Sequence, residues 1–183
     1  MLRGDIHEAV KAAREGGGGA IDRLIEAAWP KCYQLAMAIV GEATLAQDVA
    51  QEACVVIFRK IPSLRDPRAF EGWLYKIVTR QARRLRRRQI ALSFPDVPIP
   101  SSADHGPVAI DVWRALGELT PDLREVVVLF YIEDIKTGDI ANILMIPHAT
   151  VRTRLARARR LLRGLLDEPS PSINGLEAPQ HAV

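Results

Sequence analysis

Arginine is the side chain through which this sequence is equipped to act. Arg80, Arg83, Arg84, Arg86, Arg87 and Arg88 fall within nine residues, and a second cationic stretch, residues 150–166, holds Arg152, Arg154, Arg157, Arg159, Arg160 and Arg163. A guanidinium is always charged and forks onto paired oxygens, so its chemistry here is recognition of phosphates and guanine edges. Each cation set against a phosphate releases condensed counterions, and that sequence-independent contribution supplies most of the affinity for nucleic acid. Groups for covalent chemistry are sparse by comparison. His7, His105, His148 and His181 are scattered, and neither a nucleophile beside a base nor a paired acidic motif presents itself. Cys32 and Cys54 have no CxxC spacing and no nearby histidine, which disfavours a metal site and a disulfide scaffold and suits two small buried hydrophobes. The expectation is a binding protein, with no enzymatic activity, cofactor or metal.

Helices must position these cations, because alternating strand patterns are absent. The fold class expected is all-α, with two small helical domains joined by a flexible linker. Residues 1–89 form the first, with breaks at Gly16–Gly19, at Pro30 and around residues 61–67. Residues 90–110 change character: Pro95, Pro98, Pro100 and Pro107 with Ser93, Ser101, Ser102 and Gly106 favour extended backbone and read as the linker. Residues 111–166 form the second domain, and 167–183, with Pro169, Pro171, Gly175 and Pro179, read as a disordered tail. A linker of roughly twenty residues reaches up to ~65 Å, more than the roughly 34 Å of one duplex turn, so the two domains are expected to grip separate stretches of one DNA.

The net charge of +3 is modest, but Asp111, Glu118, Asp122, Glu125, Glu133, Asp134 and Asp139 outnumber Arg114, Arg124 and Lys136 between residues 111 and 139, so basic charge is concentrated elsewhere. Within the second domain Thr120-Pro121 starts a helix that buries Leu123, Val126, Val127 and Phe130. A short helix near residues 137–144 and a turn at Met145-Ile146-Pro147 lead to a third. Its apolar stripe, Val151, Leu155, Ala158, Leu162 and Leu165, marks the buried side. This is the grammar of a helix-turn-helix, whose second helix enters the major groove by its amino-terminal half. Ala149, Thr150, Arg152, Thr153 and Arg157 are therefore expected at bases and adjacent phosphates, with Arg159, Arg160 and Arg163 at phosphates or solvent. In the first domain Asp66-Pro67 opens a helix on which Trp73 and Tyr75 lie beside Lys76, Thr79, Arg80 and Arg83. Aromatic surfaces beside cations suit unpaired bases, worth ~1 to 3 kcal/mol per stacked base. Upstream, the helix at 44–60 buries Leu45, Val49, Ala53, Val56 and Ile57. Its other face, Gln47, Asp48, Gln51, Glu52 and Val55, is ill suited to DNA; spacing alone leaves it either a protein interface or a solvated surface.

The run Leu45-Ala46-Gln47-Asp48-Val49-Ala50-Gln51-Glu52, then Phe70-Glu71-Gly72-Trp73-Leu74-Tyr75-Lys76-Ile77 and an arginine-rich helix, resembles region 2 of bacterial sigma factors of the extracytoplasmic-function (ECF) group of the sigma-70 family. Leu119-Thr120-Pro121-Asp122-Leu123-Arg124-Glu125-Val126-Val127, Asp139-Ile140-Ala141-Asn142-Ile143-Leu144 and the stretch from Ile146 through Arg159 are similar to region 4 of the same group. The resemblance implies an alternative sigma factor that binds core RNA polymerase, directs it to promoters and helps to open the DNA. It places Gln47, Asp48, Gln51, Glu52 and Val55 on the clamp helices of the largest polymerase subunit, and the segment near residues 124–131 at the flap of the second largest. Leu64, Arg65, Arg68, Lys76, Thr79, Arg80, Arg83, Arg84 and Arg87 fall to the non-template single strand of the minus-ten element. His148, Ala149, Thr150, Arg152, Thr153, Arg154 and Arg157 fall to the double-stranded minus-thirty-five element. An anti-sigma factor is a further partner that the resemblance leaves open. Gln47 stands where the family usually has Glu, Cys54 where an aromatic is common, Arg80 where Asn is frequent and Met145 where the turn usually has Gly.

A helix-turn-helix activator or repressor would need a sensor or dimerisation domain in place of the arginine-laced aromatic helix. A recombinase or nuclease would need the catalytic groups absent above. A decoy sigma that titrates an anti-sigma protein would have lost the cations at Arg152, Arg154 and Arg157. With no run of eighteen apolar residues, no membrane insertion is expected, and the amino terminus lacks the layout of a signal peptide, so a cytoplasmic location is expected.

Overall fold

In the computed structural model, which describes residues 3–16, 19–91 and 107–167, all regular structure among the described residues is helical. Helix α1 spans Arg3–Arg14 and α2 Ala20–Val40, separated at the expected glycine-rich break. Gly41 follows α2 at φ 76°, a left-handed conformation that costs glycine nothing, and its N–H donates to the Met37 carbonyl at 2.8 Å. Glu42 then caps α3 (Ala43–Lys60): its carboxylate accepts from the Thr44 and Leu45 N–H groups at 2.7 and 2.9 Å. Two single 3₁₀ turns, Ile61–Ser63 and Pro67–Ala69, lead into α4 (Phe70–Ala91). Asp66 accepts from Arg68 N–H at 2.9 Å, as the Asp-Pro signal anticipates.

Pro30 does not interrupt the chain as expected; it lies inside α2. An interior proline costs a helix ~3 kcal/mol, but Leu24, Ala28, Cys32, Leu35 and Ala36 on either side of it are fully buried. Burial of that face outweighs the missing hydrogen bond.

After the stretch at 92–106, which lies outside the described residues together with the tail at 168–183, α5 occupies Pro107–Glu118 and α6 Pro121–Val127. Helix thus claims both margins of the anticipated 90–110 linker. Helix α6 continues as a π-helical turn over Val128–Ile132, then come α7 (Thr137–Leu144) and α8 (His148–Asp167). Thr120 precedes Pro121 at the start of α6 without a side-chain capping bond. Val151, Leu155 and Ala158 are buried, as the stripe on α8 requires, whereas Leu165 is exposed because α8 has outrun the helices that cover its first half.

The two helical domains, expected on a flexible linker, pack against each other here. One buried apolar cluster runs through both, with α4 against α7 and α2 against α6. Arg124 is a hinge of this packing. It is buried, donates to the carbonyls of Leu116 (2.7 Å), Gly117 (2.6 Å) and Leu119 (3.1 Å) around the end of α5, and reaches Ile39 O (3.3 Å) near the end of α2. Helix carboxyl ends carry partial negative charge, so a guanidinium there is favourably placed. Burial, with Arg86 nearby, pulls Arg124 down to about 10, still charged at neutral pH.

Candidate nucleic-acid interface

The turn between α7 and α8 sets the presentation of the second helix. Met145 closes α7 in a left-handed conformation (φ 53°), and Pro147 accepts from Thr150 and Val151 as α8 begins. Thr137, at the start of α7, and His148, at the start of α8, share a hydrogen bond at 2.8 Å. With Val151, Leu155 and Ala158 facing inward, helical periodicity leaves His148, Ala149, Arg152, Thr153, Ala156, Arg157, Arg159 and Arg160 exposed, and Thr150 half-buried. The Thr153 hydroxyl already donates to Ala149 O at 3.0 Å, which leaves its methyl and oxygen lone pair for a partner. Arg154 departs from the expected set: half-buried, it pairs with Asp122 at 2.5 Å and ties α8 to the start of α6. Its position three residues beyond Val151 turns it toward the neighbouring helix and away from the exposed face.

In the first block Arg65, Arg68, Lys76, Arg80, Arg84 and Arg87 are exposed and Leu64 is half-buried. Arg84 also lies 3.6 Å from Glu52, a solvated pair of small energetic weight. Thr79 is a correction. It is 1% exposed, and its hydroxyl donates to Tyr75 O at 2.7 Å, the usual outcome for a threonine on the inward face of a helix. Tyr75 is likewise buried and donates to Glu133 at 2.9 Å, so it offers no stacking surface here, while Trp73 is half-buried. Arg83 is drawn inward: Nε lies 3.0 Å from both Glu125 carboxylate oxygens, Nη2 lies 2.6 Å from Oε2, and Nη1 donates to Leu144 O at 2.9 Å. Burial raises Glu125 above the ordinary carboxylate range, against the opposing pull of Arg83.

On α3, Gln47, Asp48, Gln51 and Val55 are exposed and Glu52 is half-buried. Phe58, 53% exposed, extends this face and was not anticipated, although it stands three residues after Val55, the spacing that puts two side chains on one face. The segment expected at the flap is mostly interior: residues 124–129 are buried, and Tyr131 and Ile132 are the exposed part. Cys32 and Cys54 are buried side by side; their mutual hydrogen bond, with burial, raises the Cys32 thiol. Among the described residues, no cluster of side chains has the composition of a metal site, and no helix is long and apolar enough to cross a membrane.

Residues 24–90 match the family model "Sigma-70 region 2", and residues 109–162 match "Sigma-70, region 4". The SigM ECF RNA polymerase sigma factor of Mycobacterium tuberculosis is 30% identical over 91% of this chain and 87% of its own length. The chain belongs to the ECF group of sigma-70 RNA polymerase sigma factors. The probable RNA polymerase sigma factor RfaY of Xanthomonas campestris pv. campestris is also similar, at 29% identity over 88% of this sigma factor, which spans 44% of RfaY's length. Among solved structures, CnrH in complex with the cytosolic domain of CnrY superposes with a TM-score of 0.63 at 26% identity, covering 88% of this sigma factor and 96% of CnrH. The region 2 match runs from within α2 to the end of α4, and the region 4 match takes in α5 to α8, so the cationic rows of α4 and α8 fall one in each region.

Proposed function

We propose that this sigma factor binds core RNA polymerase and directs it to promoters, reading the minus-thirty-five element with α8 and holding the opened minus-ten strand with the cations of α4 and the loop before it. Polymerase engages the face of α3 formed by Gln47, Asp48, Gln51, Glu52 and Val55, with Phe58 as an apolar addition. The clamp helices of the largest subunit take this face, and Tyr131 marks where the flap of the second largest would meet region 4. The observation that carries this reading is the first half of α8. Small Ala149 and Ala156 admit close approach to a groove, while Arg152 and Arg157 stand exposed beside them. At the minus-ten element, Leu64, Arg65, Arg68, Lys76, Arg80, Arg84 and Arg87 supply the contacts. Strand opening needs no chemical catalyst, because binding the exposed strand offsets an unstacking cost of a few kcal/mol per extruded base. The location is cytoplasmic, with the polymerase. An anti-sigma factor belongs to the same reading, supported by the similar CnrH chain having been solved bound to the cytosolic domain of another protein.

The test adds the purified full chain to sigma-free core polymerase and maps transcript starts across genomic DNA. Starts confined to sites sharing two spaced sequence elements are expected. Failure to confer initiation on any template would overturn the reading.

A further inference from the structure

We propose that Cys32 of α2 and Cys54 of α3 form a redox-active dithiol, which peroxide converts to a disulfide that fastens α3 to α2. They are the chain's two cysteines, and although they lie on different helices they are buried side by side with a sulfur hydrogen bond between them. The rows they occupy bring them together. Ala28, Cys32 and Ala36 recur at every fourth residue of α2, as do Ala46, Ala50 and Cys54 of α3, and all six are buried. Fourth residues share a helix face, and small side chains there let two helix axes approach to the short end of the usual range of roughly 8 to 10 Å. A disulfide needs Cβ atoms ~3.5 to 4.5 Å apart, a separation that close packing of this kind permits. Two small buried hydrophobes, the expectation from sequence, account for either cysteine alone and leave their pairing without a cause. Cys54 stands where the family commonly has an aromatic, so the pair is a property of this chain and not of the sigma fold.

The two thiols are not equivalent. Cys32 is 0% exposed and Cys54 8%, with Val55 beside it in the open, so Cys54 is the sulfur that an oxidant from solvent meets first. The hydrogen bond from Cys32 also holds the Cys54 thiol below its ordinary range, against the push of burial, which favours the attacking thiolate. Cys32, raised by the same bond and by burial, keeps its proton until its partner is oxidised.

Hydrogen peroxide as oxidant balances the reaction. The Cys54 thiolate attacks one peroxide oxygen, an S–O bond forms as the O–O bond breaks, and the departing hydroxide takes a proton to leave as water. Cys32 then attacks the sulfur of the sulfenic acid on Cys54; the S–S bond forms, the S–O bond breaks, and the second hydroxide leaves as water with the Cys32 proton. Both sulfurs are oxidised, the peroxide is reduced to water, and a dithiol reductant reverses the change by exchange. Bonded sulfurs stand ~2.05 Å apart, closer than hydrogen-bonded ones, so closing the bond draws α3 toward α2 behind the face that carries Gln51 and Val55.

The test treats the full-length folded protein with hydrogen peroxide, blocks the remaining thiols by alkylation and maps the cysteine peptides by mass. Wild type is expected to lose both thiols together, to fall in mass by ~2 Da and to yield a peptide pair joined through Cys32 and Cys54, with dithiothreitol restoring both thiols. In Cys32→Ala the reaction stops at a sulfenic acid on Cys54 that dimedone traps, while Cys32 in Cys54→Ala reacts about 10-fold more slowly or less. Two free thiols in wild type, after an exposure that oxidises the urea-unfolded chain, would overturn the proposal, as would a disulfide joining two chains or oxidation of Cys32 ahead of Cys54. Mapping of wild type decides the bond even where an alanine variant fails to fold. None of these readouts involves polymerase or promoter, so the outcome is independent of the function proposed above.

Discussion

Met145 carries backbone strain that its side chain does nothing to repay. It sits at φ 53° and ψ 48° with 73% of its surface exposed. A left-handed L-residue costs roughly 1 to 2 kcal/mol, and glycine there would give back roughly 0.5 to 1 through its freer unfolded chain. Met145→Gly should therefore stabilise the protein by up to about 1 kcal/mol, read as a rise of roughly 2 to 4 °C in melting temperature. A fall in melting temperature would show that the methionine makes a contact worth keeping. Arg152 is the other single residue with a sharp expectation. It is exposed on the face of α8 proposed to meet base edges, so Arg152→Ala should cost ~1 to 3 kcal/mol in promoter binding and relax preference at one upstream position. A promoter-variant assay with unchanged preference would count against that placement. Met145 and Arg152 were both legible in the sequence, one as a turn residue of the wrong type and the other by its place opposite an apolar stripe. Arg154 was not, because its pairing with Asp122 joins residues 32 positions apart.

At the level of elements, local signals located most boundaries. Glycines at 16–19 separated α1 from α2, Asp66-Pro67 announced the start that leads into α4, and the offsets of Val151, Leu155 and Ala158 oriented α8. Pro30 misled, since a proline rule weighs only the helix it sits in, and α2 is held by what it packs against. That difference is measurable. Pro30→Ala should restore the missing hydrogen bond and stabilise α2 by about 1 to 3 kcal/mol in denaturant unfolding. No gain would mean that the helix has adapted fully to its proline. The acidic face of α3 was outlined by its spacing, while its apolar end at Phe58 escaped because a large aromatic inside the run Val55-Val56-Ile57-Phe58 reads as core until neighbours are known.

For the whole molecule, Arg124 is the residue through which α5, α6 and α2 are held together. Lysine keeps the charge but lacks the fork that serves several carbonyls at once. Arg124→Lys should destabilise the chain by roughly 2 to 4 kcal/mol, on the scale of breaking a buried charged network. Thermal unfolding checks it, and the loss should fall on both regions if they unfold as one cooperative unit. A loss confined to region 4, seen in amide exchange, would show that the Ile39 contact couples the regions too weakly to matter.

The sequence by itself determined the all-helical architecture and the two cationic helices, because periodicity, caps and arginine spacing act within a dozen residues and need no partner; the family came from the resemblance of its motif runs. Tertiary structure alone decided which charges turn inward. Arg83, Glu125, Arg124 and Glu133 read as surface residues in a one-dimensional chain, and when two regions folded against each other Arg124 and Glu125 became buried and Arg83 and Glu133 half-buried. A buried charge is tolerable only where another part of the chain supplies its counterion or carbonyl, and that partner lies 42 residues away for Arg83 and 85 for the contact of Arg124 with Ile39.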